Sequence, residues 1–124
     1  MLNFSKINRL EGWCSFEKAN AVYDLVIQEK PKVLLEIGVF GGKSLFSQAL
    51  ALKKNGFGKI YGVDPWNKED ALESLEDEKS IEWWGSLDYD FIYNGCVEFL
   101  QKERLEDYVE LVKTRADQFV KHFD

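Results

Sequence analysis

The chain has 124 residues, enough for one small domain and not for two. Apolar residues make up 45% of it and the formal net charge is −6, which speaks for a packed core, against general disorder and against a nucleic-acid binder that tracks the phosphate backbone. No apolar run is long enough to span a bilayer, and the first nine residues lack the apolar stretch and cleavage site of a signal peptide, so no membrane partner is expected and the cytoplasm is the default location.

The elements follow in chain order. Leu10 to Ser15 reads as a loop, and Ser15 can cap a helix from Phe16 to Glu29, with Lys18 where a capping box would place an acid. Ala19, Val22, Tyr23, Val26 and Ile27 recur at three- and four-residue spacing, and Lys30-Pro31 ends the helix. Lys32 to Ile37 is short and nearly all apolar, the pattern of a parallel strand covered on both faces. Gly38 to Gly42 is a tight turn. Lys43 to Lys54 is a helix with Leu45, Phe46, Ala49, Leu50 and Leu52 inside, closed by Asn55-Gly56-Phe57-Gly58. Lys59 to Val63 is a second strand running into Asp64-Pro65-Trp66.

Residues 67 to 80, rich in Lys, Glu, Asp and Ser, read as a solvated helix or a mobile loop. Leu87 to Lys102 is a helix with Phe91, Ile92, Cys96 and Phe99 at helical spacing, and Leu105 to Tyr108 is a connector. Val109 to Val112 alternates as a third strand, and Asp117 to Phe123 begins a last helix. Alternating helices and strands imply an α/β fold with a Rossmann-like parallel sheet. Only Cys14 and Cys96 are present, read as reduced thiols, and the single histidine, His122, reads as a surface residue, so a structural zinc site is not expected.

The chemistry concentrates between residues 33 and 64. A strand that ends in glycine and turns straight into a helix offers free backbone N–H groups to a ligand. Gly38 permits the turn, and Gly41 and Gly42 permit close backbone approach. Glu36, at the end of the first strand, suits an ammonium group, directly or through water. Asp64 ends the next strand at the same sheet edge, where a carboxylate can accept from both hydroxyls of a ribose. Trp66 offers an aromatic wall for an adenine ring. Asp117 either accepts from the adenine amine or simply complements the dipole of the helix it opens. A dinucleotide fingerprint fits less well, because Phe40 stands where its second glycine belongs. A phosphate-binding P-loop fails on spacing, since Ile37 occupies its first glycine position.

The run Val33-Leu-Leu-Glu-Ile-Gly-Val-Phe-Gly-Gly-Lys-Ser44, followed by Gly62-Val-Asp-Pro-Trp66, resembles the class I S-adenosylmethionine-dependent methyltransferases, and within them the macrocin-type and other small-molecule O-methyltransferases. The upstream Glu11-Gly-Trp-Cys-Ser-Phe-Glu-Lys18 is similar to the segment that folds over the cofactor in that group. The resemblance implies S-adenosylmethionine as cofactor, a sulfonium cation that an acidic protein would not repel. It implies Glu36, Gly38 and Gly42 in the first cofactor motif, Asp64 on the ribose and Asp117 at the adenine.

The family's seven-stranded sheet has the order 3-2-1-4-5-7-6, and only three strands are readable here, before the segment that usually carries metal-binding and catalytic residues. The chain thus reads as the N-terminal portion of a methyltransferase domain, residues 1–31 forming a helical cap and 32–124 the cofactor-binding half. The complete protein would use a small-molecule acceptor. With no fourth strand beside it, Val33 to Ile37 should form an exposed apolar edge, so self-association or a complementing polypeptide is expected. A non-catalytic cofactor-binding or interaction module and an NAD-binding domain are the rival readings.

Overall fold

The computed structural model describes residues 2–122. The expected end of the last helix at Phe123 lies outside the described residues, and so does the side chain of His122.

Three short β-branched or apolar runs form the sheet: β1 Val33–Ile37, β2 Lys59–Asp64 and β3 Val109–Lys113. All pairs are parallel and the order is β1-β2-β3. Val33 faces Lys59 and Ile37 faces Val63, while Ile60 faces Val109 and Asp64 faces Lys113. A parallel sheet flanked by helices is the Rossmann-like α/β arrangement that the alternating pattern implies.

The amphipathic segments become helices where caps and periodicity agree. α1 spans Phe16–Glu29, capped by Ser15, whose side chain accepts from the Lys18 N–H, and ends at a left-handed Lys30. α2 spans Lys43–Asn55 and packs along α1. Its Leu45, Phe46, Ala49 and Leu52 are fully buried. The polar stretch after β2 is neither one solvated helix nor a loop. It holds α3, Lys68–Leu72, and α4, Glu78–Gly85, each started by a side-chain cap, from Asn67 and from Asp77. α5 is Tyr89–Lys102, starting two residues later than the spacing indicates because Asp88 caps it by accepting from the Phe91 N–H. α6 is Ala116–His122.

Phe46 and Phe99 meet in the core at 4.6 Å between ring centroids. Ile7, from a 3₁₀ turn at Phe4–Lys6, and Leu105, from the connector after α5, are completely buried. Burial of a large aliphatic side chain contributes about 1.5–3 kcal/mol, so both chain segments are anchored. Two packing expectations fail. Phe91 is 68% exposed, one residue off the buried stripe of α5. β1 is not covered on both faces: Val33, Leu35 and Ile37 all point to an open side of the sheet.

Candidate functional site

β1 and β2 run parallel, so their C-terminal ends open at one sheet edge. The last ladder bond there joins the Gly38 N–H to the Val63 carbonyl at 2.8 Å. Beyond it the glycine loop and Asp64-Pro65-Trp66 clamp each other. Asp64 Oδ2 accepts from the backbone N–H groups of Val39 at 2.9 Å and Phe40 at 3.0 Å. Oδ1 accepts from the Trp66 N–H at 2.8 Å. The Trp66 indole N–H donates back to the Phe40 carbonyl at 2.8 Å, and the Cys96 thiol approaches the same oxygen at 3.4 Å. Burial first, then the Asp64 charge, pushes that thiol up to about 12, so Cys96 is an inert donor.

The clamp holds strain. Phe40 and Trp66 are non-glycine residues at φ of 53° and 43°. Left-handed backbone of this kind costs of order 1–3 kcal/mol per residue and persists only where surrounding bonds dictate it. Hydrogen bonds to a charged group contribute about 1.5–3 kcal/mol each, and the three to Asp64 are enough to hold both residues.

Around the clamp lies a cavity of about 890 Å³, bounded by the segment ahead of α1, the glycine loop, the start of α2, the Asp64-Pro65-Trp66 turn, α3 and α4. Small-molecule sites run from roughly 300 to 1,000 Å³. Its ionic wall residues are Glu11, Lys18, Lys43, Asp64 and Asp70, set among apolar neighbours such as Val22, Leu75 and Trp84. Lys18 and Lys43 make no ion pair among the described residues. Tyr89 also borders the cavity and donates its hydroxyl to the Trp84 carbonyl at 2.6 Å.

The residues singled out from the sequence separate. Gly38 and Asp64 line the cavity. A carboxylate has about four acceptor positions, and three on Asp64 are already filled by backbone, so about one remains instead of the pair that two ribose hydroxyls would need. Glu36 lies just behind the wall. Its Oε1 accepts from Ser44 Oγ at 2.7 Å and Gln48 Nε2 at 3.0 Å, while Oε2 is buried with no donor. Burial raises its pKa above the ordinary glutamate value, against the pull of Ser44 and Gln48.

Gly42 does not reach the cavity. It is buried at φ 95° as the start of α2, and a Cβ there would stand 2.6 Å from the Phe46 ring. Gly41 likewise admits protein: a Cβ would fall 2.0 Å from the Glu11 carbonyl oxygen. Both glycines make room for the chain's own packing. Trp66 borders the cavity but is only 2% exposed, its ring edge-on to Tyr93 at 4.9 Å, so it offers no open face. Asp117 lies outside the cavity wall. It is exposed and accepts from Arg115 Nε at 3.1 Å, a bond that holds its carboxyl below the usual range. The same guanidinium reaches Asp70 at 3.3 Å and Glu73 at 2.9 Å, tying α3 to the start of α6. Of the two readings of Asp117, this geometry matches the acid in the first turn of a helix.

Sequence reasoning passed over Lys43, Asp70, Trp84 and Tyr89. They lie in stretches whose local pattern is only polar or helical, and the cavity gathers them from four elements. Among the described residues, no group of three or more His, Cys, Asp or Glu is placed to hold a metal, and no helix is long and apolar enough to cross a membrane.

A parallel sheet with a glycine turn and an acid at its carboxyl edge defines a Rossmann-like α/β domain with a ligand-sized cavity at that edge. The chain belongs to a methyltransferase family: a family model described as a methyltransferase domain matches residues 35–124, well over half its length. No curated protein matches it significantly.

Proposed function

We propose that the cavity binds S-adenosylmethionine and that the protein is a methyltransferase acting on the hydroxyl of a small molecule, not on nucleic acid or at a membrane. The observation that carries this is the clamp between the glycine loop and Asp64 at the cavity, in a chain of a methyltransferase family.

The donor set suits this cofactor. An α-amino acid end brings an ammonium and a carboxylate. Glu36 Oε2, which has no donor of its own, is the acceptor assigned to the ammonium; it sits behind the wall, so the side chain must turn to reach the cavity, directly or through a water. Lys18 and Lys43, the two cations on the wall, suit the carboxylate. The acceptor position left on Asp64 suits one ribose hydroxyl. NAD suits the site less, because the Phe40 ring takes space beside the loop that a pyrophosphate needs. When bound, the cofactor supplies a methyl carbon on a cationic sulfur that leaves as a neutral thioether. The chain's own contribution is binding and orientation, which alone can lower a barrier by about 7–11 kcal/mol. No residue here is assigned as a general base.

Thermal unfolding tests the ligand class. At a hundred times its dissociation constant a ligand adds about 2.7 kcal/mol of stability, which raises the midpoint of a domain this size by roughly 5 °C or more. S-adenosylmethionine should do this and NAD should not. A shift with NAD and none with S-adenosylmethionine would reverse the assignment.

A further inference from the structure

Three rings from three separate stretches of chain meet at the cavity: Trp13 ahead of α1, Phe40 in the glycine loop and Trp84 in α4. Their centroids form a triangle, 5.2 Å between Trp13 and Phe40, 5.7 Å between Phe40 and Trp84, and 5.8 Å between Trp13 and Trp84. Trp83 packs behind them, 5.5 Å from Trp13. Despite these contacts Trp13 remains 65% exposed. With Trp83, 45% exposed, it makes a contiguous open aromatic patch at the cavity, and such patches mark ligand-binding grooves where single exposed residues do not. Trp13 also lies ahead of the region that the family model matches, so family membership gives it no role.

We infer that this aromatic corner holds the methyl acceptor and that the acceptor presents its hydroxyl on a flat aromatic ring. The inference rests on the cofactor reading above, which assigns Glu36, Lys18, Lys43 and Asp64 to the cofactor and uses none of the three rings. The ring planes favour a flat guest. Trp84 stands at 81° to Phe40 and 51° to Trp13. A planar ring laid on one face therefore meets its neighbour edge-on, and aromatic pairs favour both offset-stacked and edge-to-face contacts. A sugar acceptor would need hydrogen-bond partners for several hydroxyls, and the three rings offer nothing beyond two indole N–H groups.

Calorimetry of the whole chain saturated with S-adenosylhomocysteine tests this, with 2-naphthol as probe against its saturated counterpart decahydro-2-naphthol and against methyl glucoside. 2-Naphthol should bind at least tenfold more tightly than either. Trp13→Ala and Trp84→Ala should each weaken it tenfold or more, and Trp13→Phe should restore most of the loss, each variant being titrated in the presence of S-adenosylhomocysteine at a concentration that saturates that variant. Equal binding of the saturated alcohol, or tighter binding of the glucoside, overturns the inference. If 2-naphthol displaces S-adenosylhomocysteine, the corner belongs to the cofactor's own ring, and the acceptor role falls while the cofactor reading stands. If S-adenosylhomocysteine does not bind at all, the cofactor reading falls and takes the acceptor role with it.

Discussion

Asp64 accepts three backbone N–H groups, whereas Glu36 keeps one buried oxygen with no donor. Asp64 is thus a loop organiser first. Asp64→Asn puts an amide N–H against donors or leaves them unpaired. It should cost about 1–3 kcal/mol of stability, seen as a lower denaturation midpoint in urea. Glu36 has the opposite balance. Burial raises its folded pKa above the ordinary 4.5. A raised folded pKa means stability fully present below the unfolded value and lost as pH rises through the folded one. Glu36→Gln abolishes that loss, so the melting temperature of the variant relative to wild type should climb between pH 4 and pH 8. A difference that stays flat would deny that burial of the charge is costly. The positions of both acids were legible in the sequence, because each sits at a strand end defined by neighbours in the chain. The place of Asp117 in the first turn of α6 was legible too; its link through Arg115 to α3 was not, because that contact joins residues 45 apart in sequence, Arg115 and Asp70.

Helices with an apolar stripe were legible almost to the residue, since burial on one side imposes the 3.6-residue period. α3 and α4 were not: α3 is a five-residue helix resting on its Asn67 cap and the Arg115 bridge, and α4 is a short helix whose Trp83 and Trp84 pack on Trp13 and Phe40 from distant parts of the chain. Arg115→Ala should speed amide hydrogen exchange across Lys68–Leu72 and leave global stability nearly unchanged, since the guanidinium is exposed. The segment ahead of α1 has the reverse character. Its backbone at Glu11 is pressed against Gly41 with no room for a methyl group. Gly41→Ala should therefore displace residues 10–14 from the loop, costing about 1–3 kcal/mol and opening a new protease-sensitive site there. An unchanged digestion pattern would show that the contact is dispensable.

In the fold as a whole, the β1 edge of the sheet is open among the described residues. β1 is an edge strand whose Val33, Leu35 and Ile37 are between 44% and 58% exposed. Edge strands with open apolar faces recruit another chain. We propose that β1 is covered in use, by a second copy or by another polypeptide. Alone, the chain should show concentration-dependent association in sedimentation, and Leu35→Lys should reduce it. The strand order was legible because parallel pairing with intervening helices restricts topology. The exposed apolar edge at β1 was legible from the missing fourth strand; the apolar run by itself pointed the other way, to a strand covered on both faces, because it records what a strand wants covered and not what covers it.

Everything functional turns on whether the cavity beside the Asp64 clamp takes S-adenosylmethionine. Isothermal titration of the chain with this cofactor measures it most directly. Binding of one molecule per chain, weakened tenfold or more by Asp64→Ala and by the Lys18→Met/Lys43→Met pair, is the expected result. Absence of binding, or affinity indifferent to all three positions, would contradict it.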